Sequence, residues 1–285
     1  MRWEFGRRSD NVEDRRGSRV AGPVVGGGIG AILLALVVSF LGGDPSIILD
    51  QAANNPPASN QPSAGTPPSN DKTAQFVSTV LADTEDTWNQ IFREQLGADY
   101  QEPKLVLFSS AVKSACGYAQ AAAGPFYCPR DEKVYIDLDF FRQLSTRHQA
   151  PGDFAQAYVI AHEVGHHVQK ELGVLGKVNK LQQQVSETQG NQLQVRVELQ
   201  ADCLAGVWAH HTQNSQNVQL EQGDVEEGLN AASQIGDDTL QKQARGYVVP
   251  ESFTHGSSAQ RVRWFQRGIQ TGDIRQCDTF NARSL

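Results

Sequence analysis

Seven consecutive residues, Ala161-His162-Glu163-Val164-Gly165-His166-His167, restrict this chain more than any other stretch, because two of their imidazoles can share one ligand only on a helix. At ~100° of rotation per residue, positions four apart lie about 40° from each other on the helix surface. His162 and His166 can therefore point at one metal ion, and Glu163, beside the first of them, can reach a water held by that ion. His167, five positions from His162, falls about 140° away and is expected to be no ligand. The helix is expected on independent grounds as well. Phe154, Ala157, Tyr158, Ala161, Val164 and Val168 recur at helical spacing, and Pro151-Gly152-Asp153 supplies a start signal.

Two imidazoles are one ligand short, since a catalytic zinc takes three protein ligands and keeps one position open. The third is expected from a second helical stretch, Gln194 to Trp208, in which Val197, Ala201, Leu204, Ala205 and Trp208 form an apolar stripe. Glu198 and Asp202 are four apart and share a face. Glu198 is the candidate third ligand. Asp202, one turn on, is placed to accept the free ring N–H of a ligating histidine and so fix its tautomer. Carboxylates on a helix usually face solvent. This segment is otherwise poor in charge and rich in small apolar residues, so two carboxylates on its buried side need a cation to offset their desolvation. One zinc ion is the implied cofactor.

These motifs, followed by Thr254-His255-Gly256-Ser257-Ser258-Ala259-Gln260-Arg261-Val262, resemble the neutral zinc metallopeptidases, bacterial proteins with one N-terminal membrane span. The resemblance runs from Met1-Arg2-Trp3-Glu4 to Cys277. It implies an α+β, mainly helical, zincin-like metallopeptidase domain with a small sheet, and a peptide or protein substrate. In folds of that kind the sheet precedes the motif helix, and its edge strand pairs with extended substrate. Two strand-like runs, Lys104–Phe108 and Lys133–Leu138, stand in that place, separated by a loop rich in Gly, Ala and Pro. The resemblance gives the pairing role to Val134–Asp137; a strand that only packs is the equal alternative.

The rest of the chain sets the context. Val20 to Gly43 is 24 residues without a charge, enough to cross a bilayer core of ~30 Å as a helix. Arg15, Arg16 and Arg19 precede it and no Lys or Arg follows until Lys72, so the positive-inside rule expects a cytoplasmic tail at 1–20, a transmembrane helix at 21–43 and an exported remainder, periplasmic or extracellular. A cleaved signal peptide is the competing reading, but no clear Ala-x-Ala site follows the run. Residues 44–72 are rich in Pro, Ser and Asn and read as a disordered tether. The domain is expected at 73–285, opening with a helix capped by Asp71. The net charge of −7, more negative still outside the Arg-rich start, argues against a nucleic-acid partner.

His255, just before a helix capped by Ser257 or Ser258, and Tyr247 are the candidate donors to a developing oxyanion. A loop-fixing hydrogen bond is the equal alternative for His255. Four cysteines in a domain expected to be exported favour two disulfides; of the three connectivities, Cys116–Cys128 as a local closure with Cys203–Cys277 is preferred, and a Cys-rich structural zinc site is the weaker alternative, since no Cys-x-x-Cys occurs. The function expected is a membrane-anchored zinc endopeptidase with Glu163 as general base. The alternative is a membrane-tethered scaffold or binding module whose zinc is structural.

Overall fold

Asp71 opens the first helix, α1 (Lys72–Ile91), by accepting the Ala74 amide, and the stripe Phe76, Val77, Val80, Leu81, Trp88 and Ile91 is buried along it. The computed structural model describes residues 1–17, 65–120, 124–213 and 215–285. The expected span at 21–43 and most of the expected tether lie outside these. Among the described residues no helix is long and apolar enough to cross a membrane.

The protein is mainly helical with a small sheet. Strand β1 (Val12–Asp14), β2 (Lys104–Phe108), the hairpin β3 (Ala111–Ser114) and β4 (Gly117–Gln120), β5 (Phe126–Cys128) and β6 (Lys133–Asp137) precede the motif helix. The main sheet has the order β1-β2-β6-β5, with β1, β2 and β6 parallel and β5 antiparallel to β6. Both faces of β2 are covered: Leu105 and Leu107 enter the main core, while Val106 and Phe108 pack with Val112 of the hairpin. That is why the strand reads as an uninterrupted apolar run.

Two expectations need correction. Val134–Asp137 is not the edge strand, because β6 lies between β2 and β5: Val134 and Tyr135 pair on both sides, and Ile136 and Asp137 pair with β2 beyond the end of the β5 ladder; among the described residues the edge strand beside the motif helix is β5. Residues 1–17, expected as a tail separate from a domain at 73–285, pack on that domain and contribute β1. Three strand residues, two of them charged, carry too little apolar pattern to be read as a strand from sequence.

Helix α2 (Asp139–Thr146) leads into the motif helix α3 (Asp153–Glu171), which packs on β5 and β6. After α4 (Val174–Gln182) comes α5 (Glu187–Thr212), capped by a reciprocal Ser186–Gln189 box and longer than the sequence stripe suggested. Helices α6 (Asp224–Gln234), α7 (Asp237–Arg245) and α8 (Ser258–Thr271) complete the chain, the last capped by Ser257 with Gln260. A Cβ at Gly165 of the motif would sit 3.0 Å from the Ala201 carbonyl oxygen, so glycine there lets α3 and α5 approach closely. A Cβ at Gly268 would come within 2.0 Å of the Cys203 carbonyl oxygen, which sets the α5–α8 crossing. Both disulfides form as paired above: Cys116–Cys128 ties the hairpin to β5, and Cys203–Cys277 ties α5 to the C-terminal turn.

Candidate metal centre

Helices α3 and α5 bring His162, His166 and Glu198 together, with one ligand atom from each lying within 4.8 Å of the others. His162 Nε2 is 3.2 Å and His166 Nε2 3.5 Å from the same oxygen, Glu198 Oε2. The opposite nitrogen of each ring is already engaged: His162 Nδ1 lies 2.8 Å from Asp202 Oδ1, and His166 Nδ1 2.9 Å from Gln169 Oε1. Both rings thus donate through Nδ1 and leave Nε2 free to bind a cation. Gln194 donates to the second oxygen of Glu198 at 2.9 Å, and Gln169 is itself oriented by the Val197 carbonyl at 2.7 Å.

Behind the ligands lies a buried polar network. Asp202, fully buried, accepts from the Tyr158 hydroxyl at 2.5 Å and from Arg261 through Nε and Nη2, each at 2.9 Å. Arg261 also donates to the Ile235 carbonyl at 3.1 Å, which ties α8 to the end of α6. Tyr158 and His162 are four apart on α3, a spacing readable from sequence. Arg261 had no comparable signal, since its partner comes from another helix.

The electrostatics fit a divalent cation. Burial disfavours charge at all three donors, but His166 and His162 hold the Glu198 carboxyl well below its usual range. Burial opposes a cationic ring at His162 as well, yet Asp202 and Glu198 raise its pKa to about 10. One buried ring, one partly buried ring and a carboxylate in mutual contact are a donor set that could hold a zinc ion, and without the ion protons do its electrostatic work. At pH 7 the apo His162 ring therefore carries a proton that zinc must displace, so affinity rises with pH. Competition with a chelator should show zinc affinity increasing about tenfold per pH unit from pH 7 to 9 for each proton released. A flat profile would mean the rings are already neutral.

The three donors border a cavity of about 650 Å³, along with Glu163, Tyr127, Phe126, Leu175 and His255. Glu163 is buried, its carboxyl is pushed up by desolvation, and among the described residues it makes no side-chain hydrogen bond. His255 is held by Asp237, a residue that sequence reasoning gave no role. Asp237 Oδ2 accepts the amides of Thr254, His255 and Gly256 at 2.8, 2.6 and 3.0 Å, and Oδ1 lies 3.3 Å from His255 Nδ1. That hydrogen bond raises the pKa of the half-exposed His255 ring.

Other expected residues lie elsewhere. Tyr247 is 61% exposed and does not line the cavity, so the geometry does not support it as a donor. His167 points away from the centre, with Nδ1 2.9 Å from the Tyr127 hydroxyl and Nε2 on the Gln101 carbonyl. His210 and His211 bind the Ile269 and Gly272 carbonyls at 2.7 and 3.0 Å. A second carboxylate group is formed by Asp153, Asp224 and Glu227, and the Met1 ammonium lies 3.0 Å from Asp153, 3.2 Å from Asp224 and 3.5 Å from Glu221.

Comparison with known proteins places this arrangement in a family. The chain is 50% identical over 287 residues to the uncharacterized protein YpfJ of Escherichia coli strain K12, spanning 98% of this chain and 99% of that one. It is 44% identical over 220 residues to the uncharacterized protein Rv2575 of Mycobacterium tuberculosis strain H37Rv, covering 74% and 73%. No solved structure matches. The profile of a family described as "Putative neutral zinc metallopeptidase" matches residues 1–280, and the chain belongs to that family.

Proposed function

We propose that the protein is a zinc-dependent endopeptidase with one ion held by His162, His166 and Glu198 and with Glu163 as general base. The observation that carries this reading is a buried carboxylate, Glu163, without a side-chain hydrogen bond among the described residues, on a cavity wall beside the three donors. Zinc bound there supplies a Lewis acid that polarises a scissile carbonyl and acidifies water. Glu163, made more basic by burial, takes the water proton and delivers it to the leaving amine. His255, its ring pKa raised by the hydrogen bond to Asp237, donates to the oxygen on which negative charge develops. Edge strand β5, in a zincin-like arrangement, offers its free backbone groups to an extended substrate, and Phe126 and Tyr127 line the cavity at that edge.

A structural zinc in a tethered scaffold would be closed by a fourth protein ligand. Among the described residues the donor group numbers three and opens on the cavity, which favours turnover. The proposed setting is an oxidising exported compartment, suited to the two disulfides, with the apolar run 20–43 as membrane attachment.

Digestion of a peptide library by zinc-loaded, chelator-stripped and zinc-restored protein tests the reading. Cleavage that is lost on stripping and returns with zinc is expected; no cleavage by zinc-loaded protein would sink it. His255→Ala should lower kcat by about a hundredfold with little change in KM, because the donor acts on charge that develops only in the transition state. Zinc content should be unaltered, since His255 lies outside the donor group. Steady-state kinetics with metal analysis checks both points, and unchanged kcat would remove His255 from the mechanism.

A further inference from the structure

Glu85 sits inside α1 with 1% of its surface exposed, and a carboxylate so placed needs donors. Among the described residues its side-chain donors are Arg7 Nη2 at 2.9 Å, Ser9 Oγ and Asn11 Nδ2 at 3.0 Å, all from the first eleven residues. The same segment supplies backbone pairing. Leu105 N–H donates to the Asn11 carbonyl at 2.9 Å, Arg15 N–H to the Leu107 carbonyl at 2.8 Å, and Ser9 exchanges hydrogen bonds with Ser78. Trp3 packs edge-on against Phe76 with ring centroids 5.4 Å apart, and Glu13 lies 2.7 Å from Lys133 of β6. A Cβ at Gly6 would come within 2.3 Å of the Asn217 carbonyl oxygen, so the segment is seated closely. Asp14 and Gly65 exchange both backbone hydrogen bonds, at 2.7 and 3.1 Å, so the points where the chain leaves and rejoins the described structure adjoin.

We infer that residues 1–16 are an integral part of the folded domain and lie on the same side of the membrane as residues 65–285. A single crossing by the run at 20–43 would put these two parts on opposite faces of a ~30 Å hydrocarbon layer. It would strip Glu85 of its donors and open the edge of β2. Of the arginines that argued for a cytoplasmic N-terminus, Arg16 is paired with Asp71 of the domain, Arg15 is paired with Glu13 inside the segment, and Arg19 lies outside the described residues; Arg7, earlier in the segment, is paired with Glu85 and Asp86 of the domain. A charge held in an ion pair with the domain is a poor guide to orientation. This inference is independent of the peptidase reading.

Arg2 and Gln219 face each other in an antiparallel bridge, and both are exposed. The native cysteines are paired and will not compete for thiol reagents. Arg2→Cys and Gln219→Cys, each in the full-length protein in cells, are treated with a membrane-impermeant maleimide before and after permeabilisation. The two positions are expected to react under the same conditions; labelling of one in intact cells and of the other only after permeabilisation would overturn the inference. In the double variant, peptide mapping is expected to find residues 2 and 219 joined by a disulfide, and two free thiols after oxidation would contradict the docking.

Discussion

Glu163→Gln is expected to lower turnover about a thousandfold or more while the protein retains its full complement of zinc. The amide has the size and polarity of the carboxylate but cannot accept a proton from water at neutral pH. The ligand nitrogens and Glu198 are untouched, so metal binding should persist. Stability gives a second, independent sign. Burial raises the folded-state pKa of Glu163 above its ordinary value, so the ionised carboxylate is disfavoured by the fold above that range. Removing the charge should therefore leave the melting temperature of the protein stripped of metal unchanged or slightly higher. Kinetics, metal analysis and, after stripping, thermal melting of one preparation read all three quantities, and a variant within tenfold of the wild-type rate would exclude Glu163 as the base.

The second large effect concerns stability and metal affinity together. Asp202 is wholly buried, and although burial opposes ionisation, Arg261 and His162 hold its pKa down to about 2. Arg261→Ala takes away the hydrogen bonds from Nε and Nη2 to the carboxylate, from Nη2 to the Tyr158 hydroxyl and from Nη1 to Ile235, leaving the carboxylate short of a counter-charge. Breaking a buried pair on one side costs about 3–5 kcal/mol. In a domain of this size that corresponds to a melting temperature lowered by on the order of 10 °C. Asp202 also orients His162, so zinc affinity should fall by about 10- to 100-fold. Adding Asp202→Asn to Arg261→Met should restore part of the stability, since the unpaired charge is gone, but not the affinity. Calorimetry and chelator competition separate the two effects; a melting shift below ~2 °C in Arg261→Ala would show that the pair contributes little.

How far sequence reaches is clear from these residues. His162, His166, Glu198 and Asp202 were legible because each pair lies four apart on one helix, where local geometry dictates a shared face. The pairing of Cys203 with Cys277 was legible for a related reason, since Cys203 points away from the metal face. The roles of Asp237 and Arg261 were not legible, because their partners come from a distant loop and from other helices, and a lone carboxylate or guanidinium has solvent as its ordinary neighbour. The edge strand was misplaced between β5 and β6 because strand order depends on pairing across the sheet. The first seventeen residues were read through the apolar run that follows them, which carried more weight than three short strand residues could.

The central claim is a zinc with two imidazoles, one carboxylate and room for solvent, and zinc-edge X-ray absorption of the loaded protein measures that directly. The account predicts two histidine nitrogens at ~2.0–2.1 Å, oxygen donors at ~2.0–2.2 Å and no sulfur. A shell closed by four protein ligands, or a scatterer at ~2.3 Å characteristic of thiolate, would contradict it.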